Sequence, residues 1–439
     1  MRDKLPDTWK LMPLEDCMDA IIDYRGKTPK KVPFGIPLIT AKIVKGGQII
    51  EAEQEYIASE YYDEWMQRGL PKCGDVVMTT EGPLGEIAQL DGRKVALGQR
   101  LITLRGNPHI LDNTFLKFLM LSDFVQNQLH ARATGTTVQG IKQSELRKVT
   151  LLVPPLSEQQ ALATILGSID EKVELNRQMN KTLEAMAKAI YKSWFVDFDP
   201  VRAKMGDHET YGMDAEMAFL FPDSIEDSEL GEVPRGWQVD RFSTMIELIS
   251  GGTPKTSVPE YWNGSIPWFS IVDIPNEGDV FVIDTERKIT QAGLDNSSTR
   301  LLAPGTTIIT ARGTVGKCAL VGIPMAMNQS CYGVRGNKGR GNYFTYFALR
   351  NLVSKLQQSS HGTIFNTITR DTFDTIKVVC PAITLTQQFD KDVSPYLDQI
   401  LLNLHESRTL TAIRDALLPK LLLGEIRIKD AEKYVQAHI

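Results

Sequence analysis

The stretch Ala311–Cys318, ARGTVGKC, has the glycine and lysine content of a phosphate-binding loop, whose backbone amides and lysine would cradle a nucleotide. Two positions argue against it. The first glycine of that pattern is Ala311, and the hydroxyl that would hold magnesium is replaced by Cys318. The equivalent stretch near residue 80 has Glu86 where this one has Lys317, so a shared structural turn accounts for both better than nucleotide binding does. Other catalytic patterns fail as well. There is no G-x-S-x-G elbow, H-E-x-x-H pair, two-carboxylate constellation or N/D-P-P-Y/F motif of an amino-methyltransferase. The six histidines are dispersed, and Cys17, Cys73, Cys318, Cys331 and Cys380 lie far apart without metal-ligand spacing. They read as buried thiols in a reducing compartment. The sequence therefore points away from catalysis and from a metal site in this chain.

What does recur is a basic turn, GKTPK at 26–30 and GGTPK at 251–255, and it recurs inside a longer repeat. LPDTW at 5–9 corresponds to VPRGW at 233–237, and GIPLIT at 35–40 to SIPWFS at 265–270. CGDVVMTTEGPLGEIAQL at 73–90 matches PGTTIITARGTVGKCALV at 304–321, RGN recurs at 105 and 335, and GTTVQGI at 135–141 answers GTIFNTI at 362–368. Order is kept and the offsets stay between 225 and 231, so two copies of one module make up the chain. A length of 439 residues agrees with more than one domain.

Each copy begins with short apolar or alternating runs separated by Gly, Pro, Asn and Asp turns, the pattern of strands in an α+β domain. VTLLVPP at 149–155 and IKVVCPA at 376–382 close each domain with a strand stopped by proline, and a long helix follows. Ser157 and Gln160 have capping-box spacing, predicting a helix from there to Phe195. Leu162, Ile169, Asn176, Leu183 and Ile190 recur every seven residues along it, a seam that wants a partner helix. Tyr396, Asn403 and Leu410 form the matching column of the second helix, where Pro395 and Pro419 predict a kink or break and a start near Ser394. If a pseudo-twofold relates the copies, the helices run antiparallel. Asn176 and Asn403 then either face each other across the seam and fix register or sit on its wet edge.

The expected fold class is α+β: two homologous mixed α/β domains separated by two long antiparallel coiled-coil helices, related as a pseudo-twofold internal repeat. The boundaries read 1–156 first domain, 157–199 first long helix, 200–232 linker, 233–384 second domain, 385–424 second long helix and 425–439 tail. The linker carries two basic and nine acidic residues, whereas 233–384 carries 15 basic against 11 acidic, a mild excess compatible with phosphate contact. No apolar run approaches bilayer-spanning length and the first residues are too polar for a signal peptide, so a cytoplasmic protein without membrane contact is expected.

PPLSEQQALATILGSIDEKVELN after the first domain, KSWFVDFDPVRAK at the helix exit, FPDSIEDSELGEVPRGW before the second domain and LLPKLLLGEIRI near the end resemble the specificity subunit of type I restriction-modification systems. The resemblance covers essentially the whole chain. It implies a DNA-binding subunit with no active site and no cofactor of its own, S-adenosylmethionine, ATP and Mg being carried by partner subunits. It also implies two target recognition domains, each reading one half of a split double-stranded DNA target, and helices that set the gap and dock two methyltransferase subunits, with restriction/translocase subunits in the full assembly. A rod over 157–195 would measure roughly 55 to 60 Å at about 1.5 Å per residue, more than a DNA turn of about 34 Å.

On that reading Lys27, Lys30, Lys31 and Lys255, with Arg25 nearby, are candidates for phosphate contact. Thr80, Glu81, Arg132, Thr136 and Gln139 in the first domain, and Arg312, His361, Thr363 and Asn366 in the second, are candidates for reading bases. Arg312 is the strongest of these, because its counterpart is Glu81 and readers of different half-sites should differ there. Trp194 and Phe195 are large enough to be domain core or part of a docking face for a methyltransferase subunit. Two rival classes stay open at this point, a stand-alone bivalent DNA-binding regulator and a scaffold joining protein partners.

Overall fold

The structure is a computed structural model that describes residues 6, 8–26, 28–50, 54–135, 138–206, 208, 212–275, 278–359, 367–422, 424 and 426. The chain divides into two compact units, one formed by 1–174 with 407–439 and the other by 175–406. Each long helix thus gives one part to each unit, a division that the sequence-based boundaries at the helix ends do not follow.

In the first unit the sheet of strands Met18–Asp23, Leu101–Gly106, Val76–Thr80 and Leu84–Gln89 runs antiparallel throughout. Its central strand, VVMTT, is buried at every position. The alternation of a strand explains why: Val76 and Met78 enter one core with helix Asn113–Leu121, while Val77 enters a second core on the opposite face. The second core is shared with the sheet of Ala96–Leu97, Ile36–Ile39, Glu55–Ile57 and Lys31–Val32. Lys10–Pro13 pairs with Thr150–Val153 and closes the domain beside its first long helix.

The second unit repeats this plan. Strands Ile246–Ser250, Cys331–Gly336, Thr307–Thr310 and Cys318–Val321 take the same order and the same antiparallel pairing, and Gln238–Arg241 pairs with Lys377–Cys380. Left-handed glycines recur at matching places, Gly74, Gly82 and Gly85 answering Gly305, Gly313 and Gly316. Arg105 of the first RGN binds buried Asp75 at 2.7 Å, and Arg335 of the second donates to Thr306 at 3.3 Å.

The first long helix spans Leu156–Lys192. It starts one residue before Ser157, which lies inside the first turn rather than at its cap. It does not run on to Phe195 as an α-helix: Ser193–Asp197 form a π-helical turn, and left-handed Phe198 redirects the chain. The second long helix is continuous over Ile383–Leu422, through both prolines. Pro395 and Pro419 lie on the exposed face, where the Lys391 carbonyl accepts from the Ser394 hydroxyl at 3.1 Å and the Asp415 carbonyl can turn to water. The seam residues Val393, Leu397, Ile400, Ile413, Leu417 and Leu421 stay buried without interruption, which offsets the lost bonds.

In the first unit Leu162, Ile169 and Leu410 are buried in its core, and Asp170 accepts from Arg414 at 2.8 Å and from Lys117. In the second unit Asn176 donates to the Asn403 carbonyl at 3.4 Å and to Glu406 at 2.7 Å, while the Asn403 amide donates to Asn180 at 2.8 Å. Partner numbers fall along one helix as they rise along the other, so the helices are antiparallel. The two asparagines meet in a buried layer, the Asn176 side chain reaching the Asn403 backbone and the Asn403 side chain reaching Asn180. Leu183, Ile190 and Tyr396 are half-buried against the second unit's core.

Three expectations are corrected. Residues 200–232 are no bare linker: helices Asp199–Met205 and Ala215–Phe219 and the hairpin Ile225–Ser228 with Gly231–Pro234 belong to the second unit, with Val201 and Phe221 in its core. Trp194 and Phe195 are 5% and 8% exposed, packed on Phe221, Phe344 and Phe389, so they are domain core and not a docking face. Of the proposed C-terminal tail only residue 426 is described. Cys73 is exposed, unlike the buried thiol expected.

Candidate nucleic-acid interface

Both units build the same backbone frame at the end of their central hairpin. In the first, the Thr80 amide donates to the Arg100 carbonyl at 2.9 Å, and the Ile141 amide donates to the Thr80 carbonyl at 3.0 Å. In the second, the Ala311 amide donates to the Ser330 carbonyl at 2.8 Å, and the Ile368 amide to the Ala311 carbonyl at 2.9 Å. The next residue in each is bridged to the incoming loop, Glu81 to Gly140 and Arg312 to Thr367. Three segments distant in sequence are therefore clamped together, and the side chains following the clamp project from a fixed base.

Those side chains differ. Glu81 and Arg100 form an ion pair at 3.4 Å, each about half exposed, at 48% and 52%. Their counterparts are exposed Arg312 and half-buried Ser330, and among the described residues no carboxylate pairs with Arg312. The ARGTVGKC turn is thus the hairpin of this frame, where the Thr310 hydroxyl accepts from the Lys317 amide as Thr79 does from Glu86.

The basic turns attach beside the frames. Thr28 donates to Gln99 at 3.1 Å, next to Arg100, and Thr253 donates to Gln329, next to Ser330. In the second turn a Cβ on Gly251 would lie 2.0 Å from the Asn328 carbonyl oxygen, so only glycine fits. The Gly252 amide is already bonded to Met327, which leaves charge rather than that amide for an anion. Lys30 and Lys255 are exposed, and Lys31 pairs with Glu55 at 2.7 Å. A cleft of about 210 Å³ opens between turn and frame in the first unit, lined by Thr28, Lys31, Lys42, Gly82 and Arg100 among others.

Two predicted contacts are overturned. Arg25 binds Asp23 through its Nε at 2.9 Å and the Ile141 carbonyl at 2.8 Å, so its guanidinium braces the incoming loop instead of facing a phosphate. Thr80 is 1% exposed and its hydroxyl turns to the Arg100 carbonyl, out of reach of any base. Arg132 caps helix Asp123–Ala131 and is half-buried, while exposed Gln139 lies 3.4 Å from His130. Lys27, Thr136, His361, Thr363 and Asn366 lie outside the described residues. Arg100, Lys42 and Val138 were missed by the sequence reading. For Arg100 the signal was present, because the matched segments GQRL and NQSC differ there as Arg against Ser.

Among the described residues no cluster of His, Cys, Asp and Glu could hold a metal ion, and no helix is long and apolar enough to cross a membrane. A family model described as type I restriction modification DNA specificity domain matches residues 6–185 and again 234–412. The chain is similar to the type I restriction enzyme HindI specificity subunit of Haemophilus influenzae, 28% identical over 370 residues that cover 74% of this chain and 80% of the relative. It is also similar to the MjaIX specificity subunit of Methanocaldococcus jannaschii, 25% identical over 440 residues, covering 97% and 95%. The crystal structure of a type I restriction-modification system S subunit from M. genitalium shares the fold at a TM-score of 0.54 and 17% identity, covering 95% of this chain and 96% of that one.

Proposed function

The chain belongs to the type I restriction modification DNA specificity family, and from that premise we propose that each of its two frames reads one half of a split double-stranded DNA target. The observation that carries this reading is the frame itself. An identical backbone clamp presents Glu81 and Arg100 in one unit and Arg312 and Ser330 in the other. A shared scaffold with different exposed polar groups is what two readers of unlike sequences require, because hydrogen bonds to base edges specify whereas phosphate contacts only position. Lys30, Lys31, Lys42 and Lys255 supply the positioning charge.

The chain contributes recognition and its partners contribute chemistry. Two methyltransferase subunits carry S-adenosylmethionine, and restriction/translocase subunits carry ATP and Mg. The long helices, of 37 and 40 residues, set the interval between half-sites and dock the partners. Co-purification with a methyltransferase subunit, followed by mapping of methylated adenines in host DNA, tests this directly. The expected result is a bipartite motif with a constant gap. DNA binding without a methyltransferase partner would mean a stand-alone regulator, and the lack of any salt-dependent DNA affinity would mean a scaffold.

A further inference from the structure

Arg100 and Glu81 stand side by side on the rim of the first frame, and their arrangement is more specific than a surface ion pair. Both backbones are held by the same clamp, since Arg100 supplies the carbonyl that Thr80 bonds and Glu81 is the next residue. Left-handed Gly82 lets Arg100 and Val138 approach the turn closely. A Cβ built there would lie 3.5 Å from Arg100 Nη1 and 3.7 Å from Val138 Cγ1. The rim thus presents a guanidinium fork and a carboxylate, with an exposed aliphatic group beside them.

A C·G base pair shows the complementary set in the major groove: O6 and N7 of guanine accept, and N4 of cytosine donates. An adenine–thymine pair also offers a donor, N6 of adenine, but it has a single acceptor on each base and a methyl group, so neither base takes both prongs of a guanidinium fork as guanine does. The carboxylate also cancels the charge of Arg100 in the free protein, which keeps the fork from settling on a phosphate. An exposed pair of this kind is held weakly and exchanges readily for base contacts.

Resting on the DNA-reading function above, we propose that Glu81 and Arg100 act as one unit that reads a single C·G pair in the half-site of the first domain, Arg100 donating to guanine and Glu81 accepting from cytosine. The second domain has Arg312 and Ser330 at these positions and so has no carboxylate in this pair.

The test is selection of bound duplexes from a random double-stranded library by the full chain with its co-purified partner subunits, comparing wild type, Glu81→Gln, Arg100→Ala and Arg312→Ala. Wild type is expected to demand C·G at one position of one half-site, with a loss of roughly tenfold or more on replacement by A·T. Glu81→Gln and Arg100→Ala should both relax that same position and leave the other half-site intact, while Arg312→Ala relaxes only the other half. If wild type selects a motif but Glu81→Gln and Arg100→Ala keep it and weaken all sequences alike, the pair touches backbone only and the proposal is overturned while DNA reading stands. If wild type selects no motif, DNA reading falls and the proposal falls with it.

Discussion

Asn403 donates its side-chain amide to Oδ1 of Asn180 at 2.8 Å, with both residues almost completely removed from water inside the helix pair of the second unit. A buried hydrogen bond between side-chain amides adds little net stability but is costly to leave half made. Asn403→Leu should destabilise the protein by roughly 1–3 kcal/mol by stranding the Asn180 oxygen. Adding Asn180→Leu should restore part of that loss, and a double-mutant cycle measured by denaturant unfolding checks it. Strict additivity would show that the two side chains do not interact.

Asp170 carries a heavier load in the first unit, where it joins Lys117 on a domain helix to Arg414 on the second long helix, all with side chains at most 15% exposed. Removing the shared carboxylate leaves two cations in a poorly solvated place. Asp170→Ala is expected to cost roughly 3–5 kcal/mol. Asp91→Ala, which breaks a pair more than half exposed, should leave unfolding unchanged.

Trp194 meets Phe221 edge-on at 5.2 Å and Phe389 at 5.8 Å. As part of a core, it should cost roughly 3–5 kcal/mol on replacement by alanine. Were it a docking residue, Trp194→Ala would leave thermal unfolding of the isolated chain untouched and only weaken assembly.

Asp390 of the second long helix accepts from the amides of Tyr343 at 3.1 Å and Phe344 at 2.8 Å, capping the domain helix Asn342–Ser359. Burial pushes its carboxyl up from 3.8 to about 6, against the lowering effect of those amides. The folded value lies above the unfolded one, so the native state binds the extra proton between them and the contribution to stability falls as pH rises from about 4 to about 6. The melting-temperature difference between wild type and Asp390→Asn should therefore decline across that window and level off above it. A difference that stays constant with pH would exclude the shift.

The duplication was legible because both copies need the same turn chemistry. Gly82 and Gly85 recur as Gly313 and Gly316 since each hairpin demands left-handed backbone there. The heptad column of the first long helix was legible for a similar reason, one face of a rod having to be apolar. Helix ends and breaks were harder. Pro395 and Pro419 carry a local penalty that a seam made by residues far away offsets, and no local pattern reports that compensation. The acidic composition of 200–232 suggested a solvated connector, whereas a few apolar groups, Val201 and Phe221 among them, tie it to a core.

The sequence by itself determined that two copies of one α+β module alternate with two long helices, and that Glu81 and Arg312 occupy equivalent places. Tertiary structure alone decided which polar groups are free to act. Arg25 and Arg100 look alike as letters, yet one is spent on Asp23 and the Ile141 carbonyl while the other stands half exposed beside Glu81. Asp23 is a neighbour in the chain, but the Ile141 carbonyl that completes the brace comes from a loop 116 residues away, and only the fold brings such a partner to a long side chain.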